Sequence, residues 1–336
     1  MSDPAAKSLE AEAEVHWKRF EAVREAVETR VLGQREAVDT LLWSTLADGH
    51  VLLEGPPGVG KTTLVKALAD TLRLKFRRVQ FTPDLMPADV IGVRVLEELE
   101  NGRREFRQHD GPIFTNLLLA DEINRATPRT QAALLEAMQE RQVTLFDDIR
   151  PIERPFLVIA TQNPIEMEGT YPLPEAQLDR FVARVDVELP GVDQLVRILE
   201  TTSGVEPPAL EHSLERDDLR AAQAFVRELE VTPKVLRLVA RLVRATDPTS
   251  DLAPEAVRSC VRFGSSPRGG QAVVLLAKAR ALMDERLHAS EEDVARVAPA
   301  ALRHRLILSY EGEARDVSPD EVVGAALDAA REESSR

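Results

Sequence analysis

The sequence predicts an α/β protein in which a five-stranded parallel sheet lies between two layers of helices, followed by a smaller all-α domain. Between about residues 50 and 190, short β-type runs alternate with helical patterns, an order typical of a parallel sheet flanked by helices. After Pro190 and Gly191 the strand signals stop and helical periodicities follow. The 336 residues, 43% of them hydrophobic, suffice for two domains with a core each.

Composition limits the class of protein. Lys and Arg total 43 against 57 Asp and Glu, and the formal net charge of -14 opposes broad affinity for nucleic acid or anionic membranes. The only cysteine is Cys260, so no internal disulfide can form. The amino terminus lacks a basic and apolar leader, and the apolar run Ala272 to Ala277 is far shorter than a spanning helix. We therefore expect a cytoplasmic protein without membrane insertion.

The predicted strands are rich in Val, Ile, Leu or Phe, and each borders a turn or a polar loop. They are Val51 to Leu53, Phe76 to Phe81, Leu117 to Ala120, Phe156 to Thr161 and Ala183 to Glu188. Between the second and third strands, Asn101-Gly102 separates the runs Val93 to Leu99 and Arg103 to Arg107. This pattern predicts an inserted β-hairpin with a tight turn.

Helices are predicted from apolar stripes and from capping residues. The segment Lys61 to Leu72 has the single stripe of a helix that packs on a sheet, and Thr127-Pro128 predicts the start of another helix. Ser290 with Asp293 predicts an N-cap and an imperfect capping box. The helical periodicities of the second domain cover Leu195 to Leu199, Leu219 to Leu229, Val235 to Val243, Gly270 to Met283 and Ser290 to Leu306.

A phosphate-binding motif follows the first strand and opens the first of these helices. It reads Gly55-Pro56-Pro57-Gly58-Val59-Gly60-Lys61-Thr62, with Thr63 next in the helix. This matches the G-x-x-x-x-G-K-[ST] pattern in the strand–loop–helix context that the pattern requires. Glycines let backbone N–H groups surround phosphates, Lys61 reaches the β- and γ-phosphates, and the Thr62 hydroxyl can ligate Mg²⁺. The sequence thus predicts a P-loop ATPase that binds ATP with Mg²⁺.

Polar residues end two further strands. Asp121 and Glu122 follow an apolar run, and we assign Asp121 to Mg²⁺ through its water shell and Glu122 to the attacking water. A strand that ends in solvated acids is the alternative, which the complete phosphate loop makes the weaker one. Asn163 can hydrogen-bond the attacking water and the γ-phosphate. Taken alone, Asn163 before Pro164 is better explained as a turn.

In this order the motifs resemble those of the AAA+ ATPases, and their amino-acid sequences resemble those of the MoxR family within the AAA+ ATPases. The resemblance extends from about Val31 to Leu308. The motifs that carry it are FTPDL (81–85), GPIF (111–114), LADEINR (119–125), ATQNP (160–164), LPEAQLDRF (173–181), LVRAT (242–246), GSSPR (264–268) and LRHR (302–305).

The resemblance implies an αβα nucleotide domain, a helical lid, and a ring, expected to be a hexamer, with ATP between subunits. It assigns Asn163 as sensor 1, Arg180 as the arginine finger that reaches a neighbour's γ-phosphate, and Arg268 as the sensor-2 residue that reports nucleotide state to the lid. It places Val31-Leu32-Gly33 near the adenine. On sequence alone, Arg180 beside Asp179 is better explained as a surface ion pair.

We divide the chain accordingly. Residues 1–30 form an acidic helical extension, 31–190 the nucleotide domain with a hairpin insert at about 84–113, 191–325 the lid, and 326–336 an acidic tail.

The function that the resemblance implies is ATP-driven, chaperone-like remodelling of partner proteins. Clients would be separate polypeptides, and any client with a metal-binding adhesion-type domain must be one, since this chain contains no such domain. A nucleic-acid motor stays open because the insert carries Arg94, Arg103, Arg104 and Arg107, although the net charge and the 4% aromatic content oppose it. A regulatory scaffold that binds nucleotide without turnover is opposed by the catalytic carboxylate.

Overall fold

The computed structural model describes residues 4–98, 103–145, 148–163, 169–202, 210 and 214–332. The predicted turn at Asn101-Gly102 and the residue Pro164 lie outside the described residues. Helices of the first domain are α1 (Pro4–Glu28), α2 (Arg35–Leu46), α3 (Lys61–Thr71), α4 (Pro87–Ile91), α5 (Pro128–Glu140) and α6 (Glu175–Leu178). Its strands are β1 (His50–Glu54), β2 (Phe76–Gln80), β3 (Gly92–Glu98), β4 (Arg104–Asp110), β5 (Leu117–Asp121), β6 (Gln142–Leu145), β7 (Asp148–Pro151), β8 (Leu157–Gln162) and β9 (Phe181–Asp186).

Five of these strands form the predicted parallel sheet. Their order is β2-β5-β8-β1-β9, and each neighbouring pair is parallel. The central strands β1, β5 and β8 are almost entirely buried, which explains their continuous apolar runs. Since parallel strands end at the same edge, the polar residues that follow β1, β5 and β8 are brought together there.

Each face of the sheet is covered by its own apolar cluster. Because side chains alternate along a strand, Val51 and Leu53 belong to one cluster and Leu52 to the other. The first cluster includes α2, α3 and buried residues of α1, and it continues into the second domain. The second cluster includes buried residues of α5. The two clusters give the three-layer arrangement that the sequence predicted.

Two antiparallel hairpins extend from the sheet. The predicted insert is present as β3 and β4, paired from Gly92 with Asp110 to Glu98 with Arg104. The second hairpin, formed by β6 and β7, was not predicted from the sequence. Arg150 of the second hairpin forms an ion pair with Asp110 of the first, so the two hairpins contact each other.

The second domain is mainly helical. Its elements are α7 (Val192–Thr202), α8 (Arg216–Glu228), β10 (Glu230–Val231), α9 (Pro233–Ala245), α10 (Glu255–Cys260), β11 (Val261–Phe263), α11 (Pro267–Met283), β12 (His288–Ala289), α12 (Glu291–Leu302), β13 (Ile307–Leu308), α13 (Tyr310–Ala314) and α14 (Pro319–Glu332). Three of these helices, α10, α13 and α14, were not predicted from the sequence. The short strands pair as β10 with β12 and β11 with β13. The predicted boundary at residue 326 lies within α14.

One helix of this domain is shorter than predicted. The helix predicted from Ser290 to Leu306 ends at Leu302. A 3₁₀ turn follows, in which His304 Nε2 lies 3.0 Å from the Phe181 carbonyl oxygen and Arg305 Nη2 donates to the same oxygen at 2.7 Å. These contacts draw the chain onto the start of β9 and end the helix.

The start of that helix confirms the predicted N-cap. The Asp293 N–H donates to Ser290 Oγ at 3.2 Å, and the Ser290 N–H donates to Asp293 Oδ2 at 2.7 Å. The capping box is therefore complete. Among the helices of the described residues, none has the length and apolar character needed to cross a membrane.

Candidate nucleotide site

A cavity of about 360 Å³ at the carboxyl edge of the sheet brings three sequence motifs together. It is lined by residues of the loop before α3, the end of β5 and the end of β8. The lining residues are Pro57, Gly58, Gly60, Lys61, Thr62, Thr63, Arg78, Gln80, Asp121, Glu122, Thr161, Gln162 and Asn163. The residues predicted to handle phosphate, metal and attacking water therefore face one cavity, which we call the phosphate cavity.

The loop before α3 has the backbone that its glycines permit. Gly58 and Gly60 have φ of 83° and 89°, in the left-handed region that residues other than glycine rarely adopt. A Cβ at either position would meet no atom within 4 Å, so the loop is open toward the cavity. Lys61 Nζ lies over the loop and donates to the carbonyl oxygens of Gly55 and Pro56, the latter at 3.0 Å.

The charges that act on Lys61 come from acidic residues at the ends of two strands. Burial lowers the pKa of Lys61 below its ordinary value, and the carboxylates of Asp121, Glu122 and Glu54 oppose this shift. These acids stand at the ends of β5 and β1, so the negative charge around the lysine comes from the sheet edge.

Asp121 is buried and accepts hydrogen bonds on both carboxylate oxygens. Its Oδ1 accepts from the Thr161 hydroxyl at 2.6 Å. Its Oδ2 accepts from Arg78, through Nε at 3.0 Å and Nη2 at 2.6 Å. Asp121 is 7% exposed and lines the phosphate cavity.

Glu122 has a left-handed backbone, with φ of 55°. Its N–H donates to Thr161 Oγ1 at 2.8 Å, which fixes the turn that ends β5. Its Oε2 accepts from Gln80 Nε2 at 2.7 Å and from Arg125 Nη1 at 2.9 Å. Arg78, Gln80 and Thr161 were not predicted as residues of this site, because in the sequence they look like ordinary polar residues of two strands.

Asn163 lies at the end of β8 and is 5% exposed. Its carbonyl oxygen accepts from Asn124 Nδ2 at 3.5 Å, which connects the loop after β8 to the turn after β5. The residue lines the phosphate cavity with Asp121 and Glu122.

The residues of this cavity fit a nucleotide with magnesium. Mg²⁺ prefers oxygen ligands, and in nucleotide sites it is held by one or two protein oxygens together with phosphates and water. Thr62 and Asp121 supply such oxygens, while Lys61 supplies positive charge for phosphate. The described residues contain no cluster of three or more His, Cys, Asp or Glu that could hold a metal by itself. The two oxygens of Thr62 and Asp121, beside Lys61, suit a metal that arrives with its phosphates.

Arg180 and Arg268 line a different cavity of about 220 Å³, which we call the arginine cavity. Arg305 and Asp179 also line it. Asp179 accepts hydrogen bonds from Arg305 Nε at 2.8 Å and from Ser266 Oγ at 2.9 Å, so its partners come from the second domain. The sequence-based alternative, a surface ion pair between Asp179 and Arg180, does not describe this arrangement.

The segment predicted to lie near the adenine reaches a third cavity, of about 430 Å³. Gly33 lines this cavity, whereas Val31 is buried in the core. A Cβ at Gly33 would meet Gln194 Cδ at 2.4 Å, so α7 closes over this glycine. Gln34 Nε2 donates to the Val59 carbonyl oxygen at 2.8 Å, which joins the third cavity to the phosphate loop.

Comparison with known protein families agrees with this arrangement. Residues 50–183 match the ATPase family associated with various cellular activities (AAA), and residues 253–325 match the AAA lid domain. The fold and the site thus define an AAA ATPase domain followed by its lid.

Individual relatives narrow the class. The chain is 42% identical to Chaperone MoxR1 of Mycobacterium tuberculosis over 315 residues, which cover 94% of this chain and 82% of the relative. It is 35% identical to Protein MoxR of Methylorubrum extorquens, with 86% and 88% covered. A solved structure from Cytophaga hutchinsonii superposes with a TM-score of 0.89 at 36% identity, covering 97% of this chain and 98% of the other. The chain belongs to the MoxR family of AAA+ ATPases.

Proposed function

We propose that this protein binds ATP with Mg²⁺ and hydrolyses it at the interfaces of a ring of subunits, expected to be a hexamer. The energy of this cycle drives chaperone-like assembly, remodelling or activation of separate partner proteins. The observation that carries the proposal is the phosphate cavity, where Lys61, Thr62, Asp121, Glu122 and Asn163 meet although they come from three segments of the chain.

Each of these side chains has a role that its position supports. Lys61 binds the β- and γ-phosphates, and Thr62 and Asp121 provide oxygens for Mg²⁺, which neutralises phosphate charge. Glu122 orients the attacking water and takes its proton, and Asn163 hydrogen-bonds the same water or the γ-phosphate. The contacts of Glu122 with Gln80 and Arg125 hold its carboxylate at the edge of the cavity.

The placement of two arginines supports hydrolysis between subunits. Arg180 and Arg268 face the arginine cavity and not the phosphate cavity that contains Lys61. An arginine that stabilises phosphoryl transfer can be supplied by a neighbouring molecule. We propose that both arginines act on the nucleotide of the adjacent subunit.

Chaperone-like action is supported by the family and by the name of one relative. The lid is connected to the nucleotide domain through Arg303, which pairs with Asp186 of β9 at 2.6 Å and with Asp320 of α14 at 2.9 Å. Movement of the lid with nucleotide state would transmit the ATPase cycle to a client. Proteins with a metal-binding adhesion-type domain are candidate clients.

Steady-state phosphate release from Mg²⁺-ATP, measured beside nucleotide affinity, tests the proposal. Glu122→Gln should reduce turnover by at least about a hundredfold while ATP affinity stays within a few-fold of wild type. Glu136→Gln, an exposed position on α5, is the matched control and should behave as wild type. Nucleotide binding without phosphate release by the wild-type protein would instead indicate a regulatory scaffold, and stimulation of turnover by DNA would indicate a nucleic-acid motor.

A further inference from the structure

Two side chains of β2 hold the tandem acids at the end of β5. The strands are paired in parallel register, with Gln80 opposite Asp121 and Arg78 opposite Leu119. Residues two apart in a strand point to the same face of a sheet, so Arg78 and Gln80 approach the acids together. Arg78 binds Asp121, Gln80 binds Glu122, and Arg78 Nη2 donates to Gln80 Oε1 at 3.1 Å. Arg78 and Gln80 are thus hydrogen-bonded to each other and to the two acidic side chains.

The guanidinium of Arg78 uses much of the hydrogen-bonding capacity of Asp121. The two oxygens of a carboxylate offer about four acceptor positions. Arg78 takes two of them on Oδ2 and the Thr161 hydroxyl takes one on Oδ1. About one position is left for a water molecule of a bound Mg²⁺. Oδ2 of Asp121, to which Arg78 donates, is therefore not available to the metal while Arg78 stays in place.

Arg78 also places positive charge inside the phosphate cavity. Its side chain is 49% exposed and lines the cavity together with Lys61 and Thr62. A metal held by Thr62 and Asp121 would share the carboxylate that Arg78 binds, and two positive charges on one carboxylate repel each other. The charge repulsion and the loss of an acceptor both disfavour simultaneous binding of Arg78 and Mg²⁺ to Asp121.

We infer that Arg78 is a positioning residue that competes with Mg²⁺ for Asp121. Binding of the metal displaces the guanidinium from Oδ2, and its return to Oδ2 favours release of the metal. Displacement also removes the hydrogen bond from Arg78 to Gln80, so the contact between Gln80 and Glu122 loses its support when metal is present. This inference rests on the proposed function because it takes the phosphate cavity to be a Mg²⁺-nucleotide site.

The test measures metal affinity without turnover. Mn²⁺ is titrated into the complex of the full-length protein with ADP, and free Mn²⁺ is followed by electron paramagnetic resonance. Arg78→Gln removes the charge, and Arg78→Lys keeps it without the fork that binds one oxygen twice. Arg77→Gln is the matched control, since Arg77 is exposed, adjacent on β2 and directed to the opposite face of the sheet.

Arg78→Gln should bind Mn²⁺ about tenfold more tightly than wild type, because a charge-assisted hydrogen bond no longer has to be broken. Arg78→Lys should shift the affinity in the same direction by a smaller factor, and Arg77→Gln should leave it unchanged. Unchanged or weaker Mn²⁺ binding by Arg78→Gln would overturn the inference, as would an equal shift in Arg77→Gln.

Folding is verified separately by circular dichroism. If Arg78→Gln does not fold, Arg78→Lys decides the outcome, and wild-type Mn²⁺ affinity in that variant counts against competition. Failure of the wild-type protein to bind ADP at all would overturn the proposed function, and the inference with it. Normal ADP binding by wild type with unchanged metal affinity in the Arg78 variants overturns the inference alone.

Discussion

Arg268 at the start of α11 lines the same cavity as Arg180 at the start of β9, although one belongs to the lid and the other to the nucleotide domain. The resemblance implied different tasks for them, with Arg180 directed at a neighbour and Arg268 reporting on nucleotide state. Because both side chains line one cavity, we propose that both act on the nucleotide of an adjacent subunit, and the sensor-2 role of Arg268 stays a prediction. The Nε atom of Arg180 is buried and has no hydrogen-bond partner among the described residues, so part of its donor capacity is unused in the single chain.

The first prediction separates action within a subunit from action between subunits. Arg180→Ala and Arg268→Ala should each lower turnover, Arg180→Ala by roughly a thousandfold or more. Mixing either variant with Glu122→Gln should restore activity, because some interfaces then pair an intact Glu122 with an intact arginine from the neighbour. Turnover per protomer should also rise with protein concentration through the range of assembly.

The mixing experiment needs proof that subunits exchange, which fluorescently labelled subunits provide. If Arg268 serves the nucleotide of its own subunit, the Arg268→Ala mixture stays inactive while the Arg180→Ala mixture recovers. Recovery by neither mixture in demonstrably mixed assemblies would contradict the proposal that these arginines act on a neighbour.

The second prediction concerns nucleotide binding itself. Lys61→Ala should weaken ATP affinity by roughly ten- to a hundredfold, because a charge-assisted contact with phosphate is lost. Lys66→Ala is the matched control, since Lys66 is exposed on the same helix. Calorimetric titration of ATP into each variant measures the effect. Equal affinities of Lys61→Ala and Lys66→Ala for ATP would show that Lys61 does not bind the phosphates.

The parallel sheet and the phosphate loop could be predicted because their signals are local. Continuous apolar runs mark buried strands, and the motif at residues 55–62 has a fixed order of residue types. The roles of Arg78 and Gln80 could not be predicted in this way, since both look like exposed polar residues of an edge strand. Only the register of β2 with β5 places them against Asp121 and Glu122.

The location of Arg180 and Arg268 depends on contacts between distant segments. Arg305 binds Asp179 and the carbonyl oxygen of Phe181, and this fixes the lid against the start of β9. No periodicity or spacing encodes that contact. The second hairpin was missed for a related reason, because β6 and β7 are strands of four residues each and β7 is largely exposed.

The third prediction follows from the buried His50 of β1. Burial lowers the pKa of His50 to about 4, and the nearby positive charge of Arg141 acts in the same direction. The neutral ring fits its contacts, since Val158 N–H donates to Nδ1 at 2.9 Å and Nε2 lies 3.1 Å from the Met138 carbonyl oxygen. The unfolded chain, whose histidines titrate near 6.5, binds more protons than the folded chain between these values.

Stability should therefore be complete above about pH 6.5 and fall as the pH drops toward 4, and His50 should contribute about 3 kcal/mol to that loss. His50→Asn lowers stability at pH 7.5 but should lose about 2 kcal/mol less than wild type between pH 7.5 and pH 5. Denaturant titrations of both proteins at the two pH values measure the difference. Parallel pH dependences would contradict the assignment to His50.

The last prediction concerns Asp293, a buried carboxylate of the lid. Asp293 is fully buried, and it binds Arg280 through Nη1 and Arg286 through Nη1 at 2.6 Å. It also completes the capping box with Ser290. Burial by itself would raise the pKa of Asp293, but the hydrogen bond from Arg286 and those from Ser290 lower it below its ordinary value. The carboxylate is thus held charged at neutral pH by partners on two elements.

Asp293→Asn keeps the shape of the side chain but leaves the guanidinium groups of Arg280 and Arg286 without a buried counter-charge. Breaking a buried ion pair in this way should cost about 3 kcal/mol of the free energy of unfolding. Asp284→Asn is the matched control. Asp284 contacts the same arginines, at 3.3 Å and 3.1 Å, but its side chain is 42% exposed. As a solvent-exposed pair its loss should cost less than about 1 kcal/mol.

Denaturant midpoints of the two variants, measured at pH 7.5 under identical conditions, give the comparison. Because both substitutions remove one negative charge beside the same arginines, the difference between them reports burial and not net charge. A similar small loss in both variants would show that Asp293 contributes no more than a surface ion pair, and the lid would then owe its stability to its apolar cluster.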